Sequence, residues 1–227
     1  MHDQTSAAAP LLTARSLRVE RAGRLVVHPA SLDLHVGEVL WLQGPSGSGK
    51  STLLRALARL VPWSGELALA GRRAARLSPR EWRAQVALLP SPPVPLAETL
   101  AEDLLAPWQL RARRGREAPS PETLARELEA LGLGGLALDR PTRELSLGQL
   151  ARVAFLRTVL SGPKVLLLDE PAANLDPASA ELLAARAFRH AEAGGAVFAA
   201  GHTTPWEGVH RLLRMAHGGL ETIDAAI

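Results

Sequence analysis

Apolar residues along this chain follow two patterns, short runs bounded by glycine and proline and longer runs with helical spacing. Short runs of this kind are typical of strands. Residues 165–168 and 196–200 are apolar without interruption, as expected of strands buried on both faces of a sheet. The predicted strands are 18–20, 25–27, 31–36, 39–42, 66–71 (strand, then turn), 86–89, 164–170 and 196–200, followed by a hairpin over 212–223 that turns at Gly218-Gly219.

Runs with helical spacing lie between these strands, and three of them begin with a good capping residue. Ser78, Ser120 and Asp176 each precede a proline, which is the order favoured at a helix start. Gly132 and Gly194-Gly195 are the expected stops. The predicted helices cover 53–60, 96–105, 121–131, 145–160 and 177–193, with one more starting at Pro79.

A proline-rich segment, 90–95, divides the chain into unlike parts because it suits neither a central strand nor a helix. The elements that follow it are helical until the buried strands resume. We therefore expect an α/β core made of residues 11–90 and 156–227, with a mostly helical lobe, 91–155, inserted into it. Residues 1–10 lack the features of a signal peptide and are expected to form a disordered tail.

Composition narrows the classes of function. The chain has 227 residues, 47% hydrophobic and 22% charged, which is ordinary for a soluble globular protein. Its 26 basic and 23 acidic residues leave a net charge of +3, so no nucleic-acid partner is expected, and the basic run 111–116 is interpreted as a solvated loop. Without cysteine there is no thiolate metal site, and the histidines show no ligand spacing, so no structural metal is expected. No run approaches the ~20 apolar residues of a membrane helix.

A glycine-rich stretch, G-P-S-G-S-G-K-S-T, follows the apolar run 39–42 and leads into a predicted helix. Strand, glycine-rich turn and helix form the context that a phosphate-binding loop requires, because glycine lets backbone N–H groups surround an anion and the helix N-terminus attracts negative charge. In such a loop Lys50 reaches the β- and γ-phosphates and the Ser51 hydroxyl joins the Mg²⁺ shell. The expected nucleotide-binding residues are Gly44, Pro45, Ser46, Gly47, Ser48, Gly49, Lys50, Ser51 and Thr52.

Two carboxylates, Asp169 and Glu170, end the predicted strand 164–170. In a domain with a phosphate loop, such a pair supplies Mg²⁺ coordination and water activation. Asp169 is expected to hold Mg²⁺ with Ser51, and Glu170 to orient and polarise the water that attacks the γ-phosphate. The cofactors expected from these residues are therefore a nucleotide with a γ-phosphate, and Mg²⁺.

Three further motifs accompany these residues: L-S-L-G-Q at 145–149, N-L-D at 174–176, and His202 after the second buried strand. With them, the chain resembles the nucleotide-binding subunit of ABC transporters along nearly its whole length. The pentapeptide at 145–149 separates that family from other phosphate-loop ATPases. The resemblance implies an α/β fold of the P-loop NTPase class, with a RecA-like core, a mixed sheet, an antiparallel N-terminal β subdomain and an inserted α-helical subdomain.

The resemblance also implies a head-to-tail dimer in which the pentapeptide of one subunit binds the γ-phosphate held by the other. Carried over, Ser146, Gly148 and Gln149 contact ATP across the interface, and 174–176 faces the opposing site. His202 corresponds to a histidine that contacts the γ-phosphate and holds the geometry of the catalytic carboxylate, so both His202 and Glu170 are expected to be catalytic.

The implied activity is ATP hydrolysis that drives a separate polytopic membrane permease from the cytoplasmic face of the cell membrane, with a homodimer as the expected state. The permease is expected to dock near residues 92–105. A narrower resemblance, carried by residues 98–111 and by the absence of a C-terminal regulatory domain, is to the short Fet-type ATP-binding subunits, which are assigned to iron export. Metal export is therefore the expected transport.

Three positions depart from the family pattern. Leu147 replaces a glycine of the pentapeptide, Ser91 stands where a glutamine is usual, and Val19 lies near the place of an aromatic that stacks on adenine. Two alternatives therefore stay open. One is a soluble ABC-type ATPase that serves DNA repair or translation, against which there is no coiled-coil insertion or second cassette. The other is a catalytically weak partner in a heterodimer, against which Glu170 and His202 are intact.

Overall fold

The structure, a computed structural model, describes residues 9–110, 115, 117–202 and 204–223. Most of the predicted N-terminal tail and of the basic run 111–116 lies outside these residues. In the described part the chain forms two β-sheets, six α-helices and short 3₁₀ turns.

The predicted strands are all present, and two of them are joined. Residues 25–27 and 31–34 belong to a single strand, which continues through Pro29. In chain order the strands are β1 (Leu12–Arg21), β2 (Arg24–Leu34), β3 (Val39–Gln43), β4 (Ser64–Leu69), β5 (Arg72–Arg73), β6 (Val86–Leu89), β7 (Val165–Asp169), β8 (Ala196–Gly201), β9 (Arg211–Ala216) and β10 (Gly219–Ile223).

A six-stranded mixed sheet with the order β10-β9-β3-β8-β7-β6 forms the centre of the molecule. Its neighbours pair in parallel, except that β10 is antiparallel to β9. Every residue of β7 and β8 is buried, which accounts for their continuous apolar sequences. The second sheet, β2-β1-β4-β5, is antiparallel throughout.

The helices are α1 (Lys50–Leu57), α2 (Pro79–Arg83), α3 (Leu100–Leu105), α4 (Pro121–Glu129), α5 (Leu147–Leu160) and α6 (Pro177–Glu192). The three predicted caps are present: the side chains of Ser78, Ser120 and Asp176 each accept the backbone N–H of the third residue of their helix. None of the helices in the described ranges is both long and apolar enough to cross a bilayer.

The helix predicted from Leu96 starts four residues later, at Leu100. Thr99 caps it in a reciprocal arrangement with Glu102, which fixes the start because each side chain satisfies a free N–H of the first turn. The N–H of Leu96 instead donates to the Asp103 carboxylate at 2.5 Å. The side chain of Asp103, inside α3, thus holds the segment that precedes this helix.

Each face of the central sheet packs against its own hydrophobic core. Leu40 and Leu42 of β3 point to the core shared with α1 and the antiparallel sheet, and Val39 and Trp41 point to the core shared with α3–α6. Helix α5 lies in the second core and runs through residue 155, the predicted boundary of the inserted lobe. The division of the chain into these subdomains stays a prediction.

Candidate nucleotide-binding site

The glycine-rich stretch leaves the carboxyl end of β3, and its last residues open α1. Two of its glycines are required by close backbone neighbours. A Cβ on Gly44 would lie 2.2 Å from the carbonyl oxygen of Met215, and one on Gly49, whose φ is +108°, would lie 2.8 Å from that of Val26. Val26 and Met215, from two different sheets, therefore form the back wall of the loop.

The other loop residues divide between an exposed tip and a buried base. Pro45, Ser46 and Gly47 are exposed. Ser48 and Thr52 are buried, and the Ser48 hydroxyl oxygen has no hydrogen-bond partner among the described residues. Buried polar atoms are rarely left unpaired, so this hydroxyl is available to a ligand held by the loop.

Lys50 is the first residue of α1, and its ammonium lies over the loop. Nζ donates hydrogen bonds to the carbonyl oxygens of Gly44 at 2.7 Å and Pro45 at 3.0 Å. Burial lowers the pKa of Lys50 from its usual value, and the negative charges of Glu170 and Asp169 oppose that shift. The lysine is thus pre-positioned between the loop and the two carboxylates.

Ser51 and Asp169 meet between α1 and the end of β7. The Ser51 hydroxyl donates to Asp169 Oδ1 at 2.9 Å, and Asp169 is only 2% exposed. Burial raises the pKa of Asp169, while the Ser51 hydrogen bond and the positive charge of Arg55 act in the opposite direction. Two neighbouring oxygen ligands, one of them a buried carboxylate, suit a hard divalent cation.

Glu170 and His202 come together from the ends of neighbouring strands. His202 Nδ1 lies 3.2 Å from Glu170 Oε1, and both side chains are partly exposed. Glu170 has a left-handed backbone, φ +49°, and its N–H donates to the carbonyl oxygen of Ala200 on β8 at 2.8 Å. A non-glycine residue held at positive φ is uncommon, and here it turns the carboxylate out of the sheet towards the histidine.

The pentapeptide residues lie at the start of α5. Ser146 accepts the N–H of Gln149 at 3.2 Å, and Gln149 Oε1 accepts the N–H of Ser146 at 2.9 Å, so the two form a capping box. Leu147 is 67% exposed. A Cβ on Gly148 would lie 3.1 Å from the carbonyl oxygen of Asn174. Among the described residues no hydrogen bond joins this group to the phosphate loop.

Ser91 and Val19, two of the positions that depart from the family pattern, lie in different surroundings. Ser91 lines a small cavity together with Asp169, Glu170 and Asn174, so it lies beside the carboxylates. Val19 is 1% exposed and belongs to the hydrophobic core, where it pairs with Val27 on β2. The Val19 side chain therefore points into the core and not towards a ligand at the surface, and the place of the adenine-stacking residue stays a prediction.

Some residues that support the site are far from it in the sequence and belong to no recognisable motif. Met215 supports both loop glycines, and the indole of Trp41 lies against Gly201, the residue before His202. A buried methionine near the end of a strand reads as ordinary core. No local signal identifies either residue, because their role depends on contacts between strands far apart in the chain.

A phosphate loop at the end of a central parallel strand, with a serine–aspartate pair and a further acid at the ends of neighbouring strands, defines a P-loop nucleoside triphosphatase fold. Residues 27–173 match the family described as ABC transporter. The chain belongs to this family as an ATP-binding subunit of an ABC transporter.

Relatives of similar length support this assignment. The chain is 36% identical over 196 residues to the cytochrome c biogenesis ATP-binding export protein CcmA of Pseudomonas syringae, covering 86% of this chain and 89% of that protein. It is 34% identical over 169 residues to the probable iron export ATP-binding protein FetA of Escherichia coli, covering 74% and 73%. The Fet-type resemblance is thereby confirmed as one of several.

A solved structure described as the ATP-binding subunit of an ABC transporter superposes on this chain with a TM-score of 0.83 at 26% identity, covering 94% of this chain and 90% of the other. A bacterial Atm1-family ABC exporter with ATP bound gives a TM-score of 0.81 at 22% identity and, with 38% of its own length covered, supports the fold alone. The mixed α/β fold expected from the resemblance is confirmed.

Proposed function

We propose that this chain binds and hydrolyses ATP with Mg²⁺, and that hydrolysis drives a separate membrane permease. The observation that carries the proposal is the meeting of Lys50, the Ser51–Asp169 pair and the Glu170–His202 pair at adjacent strand ends. These three groups supply a phosphate ligand, a cation site and a base with its orienting partner.

Each group has a defined role in the proposal. The loop N–H groups and Lys50 hold the β- and γ-phosphates, and the unpaired Ser48 hydroxyl adds a further contact. Ser51 and Asp169 hold Mg²⁺, which when bound neutralises charge on the phosphate oxygens. Glu170 orients and polarises the attacking water, and His202 fixes the Glu170 carboxylate.

The second half of the site is proposed to come from another copy of the chain. Leu147 and the start of α5 are exposed, and the nearby backbone of Asn174 is left-handed at φ +65°. In the proposed homodimer Ser146, Gly148 and Gln149 contact ATP held by the opposing phosphate loop. A helix N-terminus favours the negative charge of a γ-phosphate.

The permease is proposed to dock in an apolar groove between α2, the end of α1 and the segment before α3. The groove has a volume of about 630 Å³, and its exposed leucines and valine include Leu60, Val94 and Leu96. Contiguous exposed apolar surface of this kind is typical of an interaction site. A permease docked there would keep this subunit at the cytoplasmic face of the membrane.

We propose export as the direction of transport. CcmA and FetA are both named export proteins, and this chain matches most of their length. A matching import subunit, UgpC of Cereibacter sphaeroides, is covered over only 46% of its length. Iron is the proposed cargo because FetA is named a probable iron export protein. Neither the phosphate loop nor the carboxylates determine which cargo is transported.

ATP turnover by the purified chain tests the proposal. We expect hydrolysis that requires Mg²⁺ and is removed by chelation, loss of ATP binding in Lys50→Ala, and loss of turnover with retained ATP binding in Glu170→Gln. Glu181→Gln, which changes an exposed acid on α6, is the matched control and should hydrolyse ATP normally. Retained turnover in Glu170→Gln would contradict the role of Glu170.

Copurification with a polytopic membrane protein tests the transport assignment. Leu60→Arg at the groove should reduce copurification without changing ATP turnover. If wild type binds ATP but shows no turnover, the chain is the weak partner of a heterodimer, which is the reading that Leu147 and Ser91 favour.

A further inference from the structure

The segment that carries His202 is held in place by β3, the strand that also leads into the phosphate loop. His202 itself is exposed, with 56% of its side chain accessible, and its contact in the site is with Glu170. Nothing in that contact fixes the backbone on which the histidine stands. The fixing contacts lie on either side of it.

Before His202, the chain passes directly over Trp41 of β3. A Cβ on Gly201 would lie 2.7 Å from Trp41 Cζ2, so glycine is required there by the indole ring. After His202, Trp206 packs on the same ring, with centroids 5.2 Å apart at an interplanar angle of 59°. The histidine is therefore bracketed by two contacts with one buried aromatic side chain.

The far end of the segment is attached to the same strand. The N–H of His210 donates to the Val39 carbonyl oxygen at 2.9 Å, and the Val39 N–H donates to His210 Nδ1 at 3.1 Å. Phe188 of α6 completes the cluster at 6.4 Å from both the Trp206 and the His210 rings. Among the described residues between Gly201 and His210, Trp206 contacts β3 through its ring.

Packing rather than hydrogen bonding holds the two indoles. The Nε1 atoms of Trp41 and Trp206 are buried, and neither has a hydrogen-bond partner among the described residues. Tilted aromatic pairs at this separation are favourable through their rings alone. A phenylalanine at 206 can therefore replace the contact, whereas an alanine cannot.

We propose that Trp206 is a positioning residue for hydrolysis: through Trp41 it fixes the backbone of His202 relative to the phosphate loop, so that His202 meets Glu170 and the γ-phosphate together. This inference rests on the proposed function. Because one strand carries both the loop and the support of the histidine, the two catalytic parts keep a fixed relation. A displacement of about 1 Å at such a site reduces the rate by up to roughly a hundredfold.

The first test is a set of kinetic constants for ATP. Trp206→Ala should lower kcat by roughly tenfold or more, with KM for ATP changed by less than about twofold, since the phosphate loop is untouched. Trp206→Phe should retain most of kcat, and Trp206→Leu, which fills part of the space without a ring, should fall between. Trp63→Ala is the control, because Trp63 is partly buried against the other core.

The second test is a double-mutant cycle with His202→Ala. If Trp206 acts through His202, Trp206→Ala has no further effect on kcat once the histidine is removed. An equal fractional loss in both backgrounds, or a loss of kcat in Trp63→Ala as large as that in Trp206→Ala, overturns the proposal in favour of a merely structural role.

A third measurement separates this inference from the proposed hydrolysis. Amide hydrogen exchange over residues 204–210 of the nucleotide-free protein should be faster in Trp206→Ala than in wild type or Trp63→Ala. If wild type does not hydrolyse ATP but exchange changes as expected, the proposed function fails while the anchoring by Trp206 stands. Unchanged exchange in Trp206→Ala overturns the anchoring, whatever the turnover.

Discussion

Single glycines in the phosphate loop meet two different physical demands. Gly47 has φ +77° and no atom within 4 Å of the place where a Cβ would be, so only backbone conformation favours glycine there. Gly49 combines φ +108° with a backbone oxygen of Val26 at 2.8 Å from that place. Both glycines belong to one motif, yet one has a free side-chain direction and the other has none.

This contrast predicts the cost of alanine at the two sites. Gly47→Ala should destabilise the fold by about 1–2 kcal/mol from positive φ alone. Gly49→Ala should cost about 1–3 kcal/mol more, because the Val26 carbonyl cannot move without disturbing β2, and it should also weaken ATP binding. Urea unfolding and nucleotide titration of both variants check this. Equal losses of stability in Gly47→Ala and Gly49→Ala would mean that the Val26 backbone behind the loop moves easily.

At the scale of elements, a buried ion pair holds the segment that lines the apolar groove proposed for docking. Arg157 of α5 donates to Asp103 Oδ1 of α3 at 2.5 Å and to the Val94 carbonyl oxygen at 3.1 Å, and Asp103 is fully buried. The other carboxylate oxygen of Asp103 accepts the N–H of Leu96, so Asp103 holds the segment before α3 against α3 and α5. The exposed side chains of Val94 and Leu96 are thereby presented to the groove.

Removing one partner of this pair should be costly. Asp103→Ala leaves the Arg157 guanidinium buried without its carboxylate, and such losses are about 3–5 kcal/mol. Asp103→Asn should cost less, because an amide oxygen can still accept one of the two hydrogen bonds. Glu102→Ala, next along α3 and exposed, is the control and should cost about 1 kcal/mol as a lost cap partner. Similar unfolding free energies for Asp103→Ala and Glu102→Ala would contradict the assigned role.

The whole molecule was largely predictable from local patterns. The strands and the three helix starts capped by Ser78, Ser120 and Asp176 were predicted, because burial on both faces and capping are visible within a few residues of sequence. The phosphate loop was predicted because its motif is contiguous, whereas α3 was predicted to start four residues too early. The burial of Val19 could not be predicted from alternation along its strand, because β1 pairs with β2 through register irregularities between Ala14 and Glu20. Met215 and Trp41 support the site only through contacts between strands far apart in the chain, so no local pattern in the sequence identifies them.

Assembly of two copies gives a prediction at this scale. In a Glu170→Gln background with ATP, Leu147→Arg should weaken dimerisation by roughly tenfold or more, because a bulky charge would stand at the proposed interface. Leu25→Arg is the matched control, since Leu25 is an exposed leucine of the antiparallel sheet, 49% accessible against 67% for Leu147. Light scattering with and without ATP measures the effect. If both variants dimerise alike, the start of α5 does not lie in the interface.

The place of β3 in the sheet sets the order in which the protein can become active during its synthesis. Its two neighbours, β8 and β9, both come from the last part of the described chain. The first of them, β8, begins at Ala196, roughly 150 residues after β3 ends at Gln43. At about 5–20 residues per second a ribosome needs roughly 8–30 s for that distance. Until then the phosphate loop lacks the neighbours of β3 in the central sheet, and Met215 is still to be made. A nascent chain is therefore expected to bind ATP only after β8 and β9 have been made.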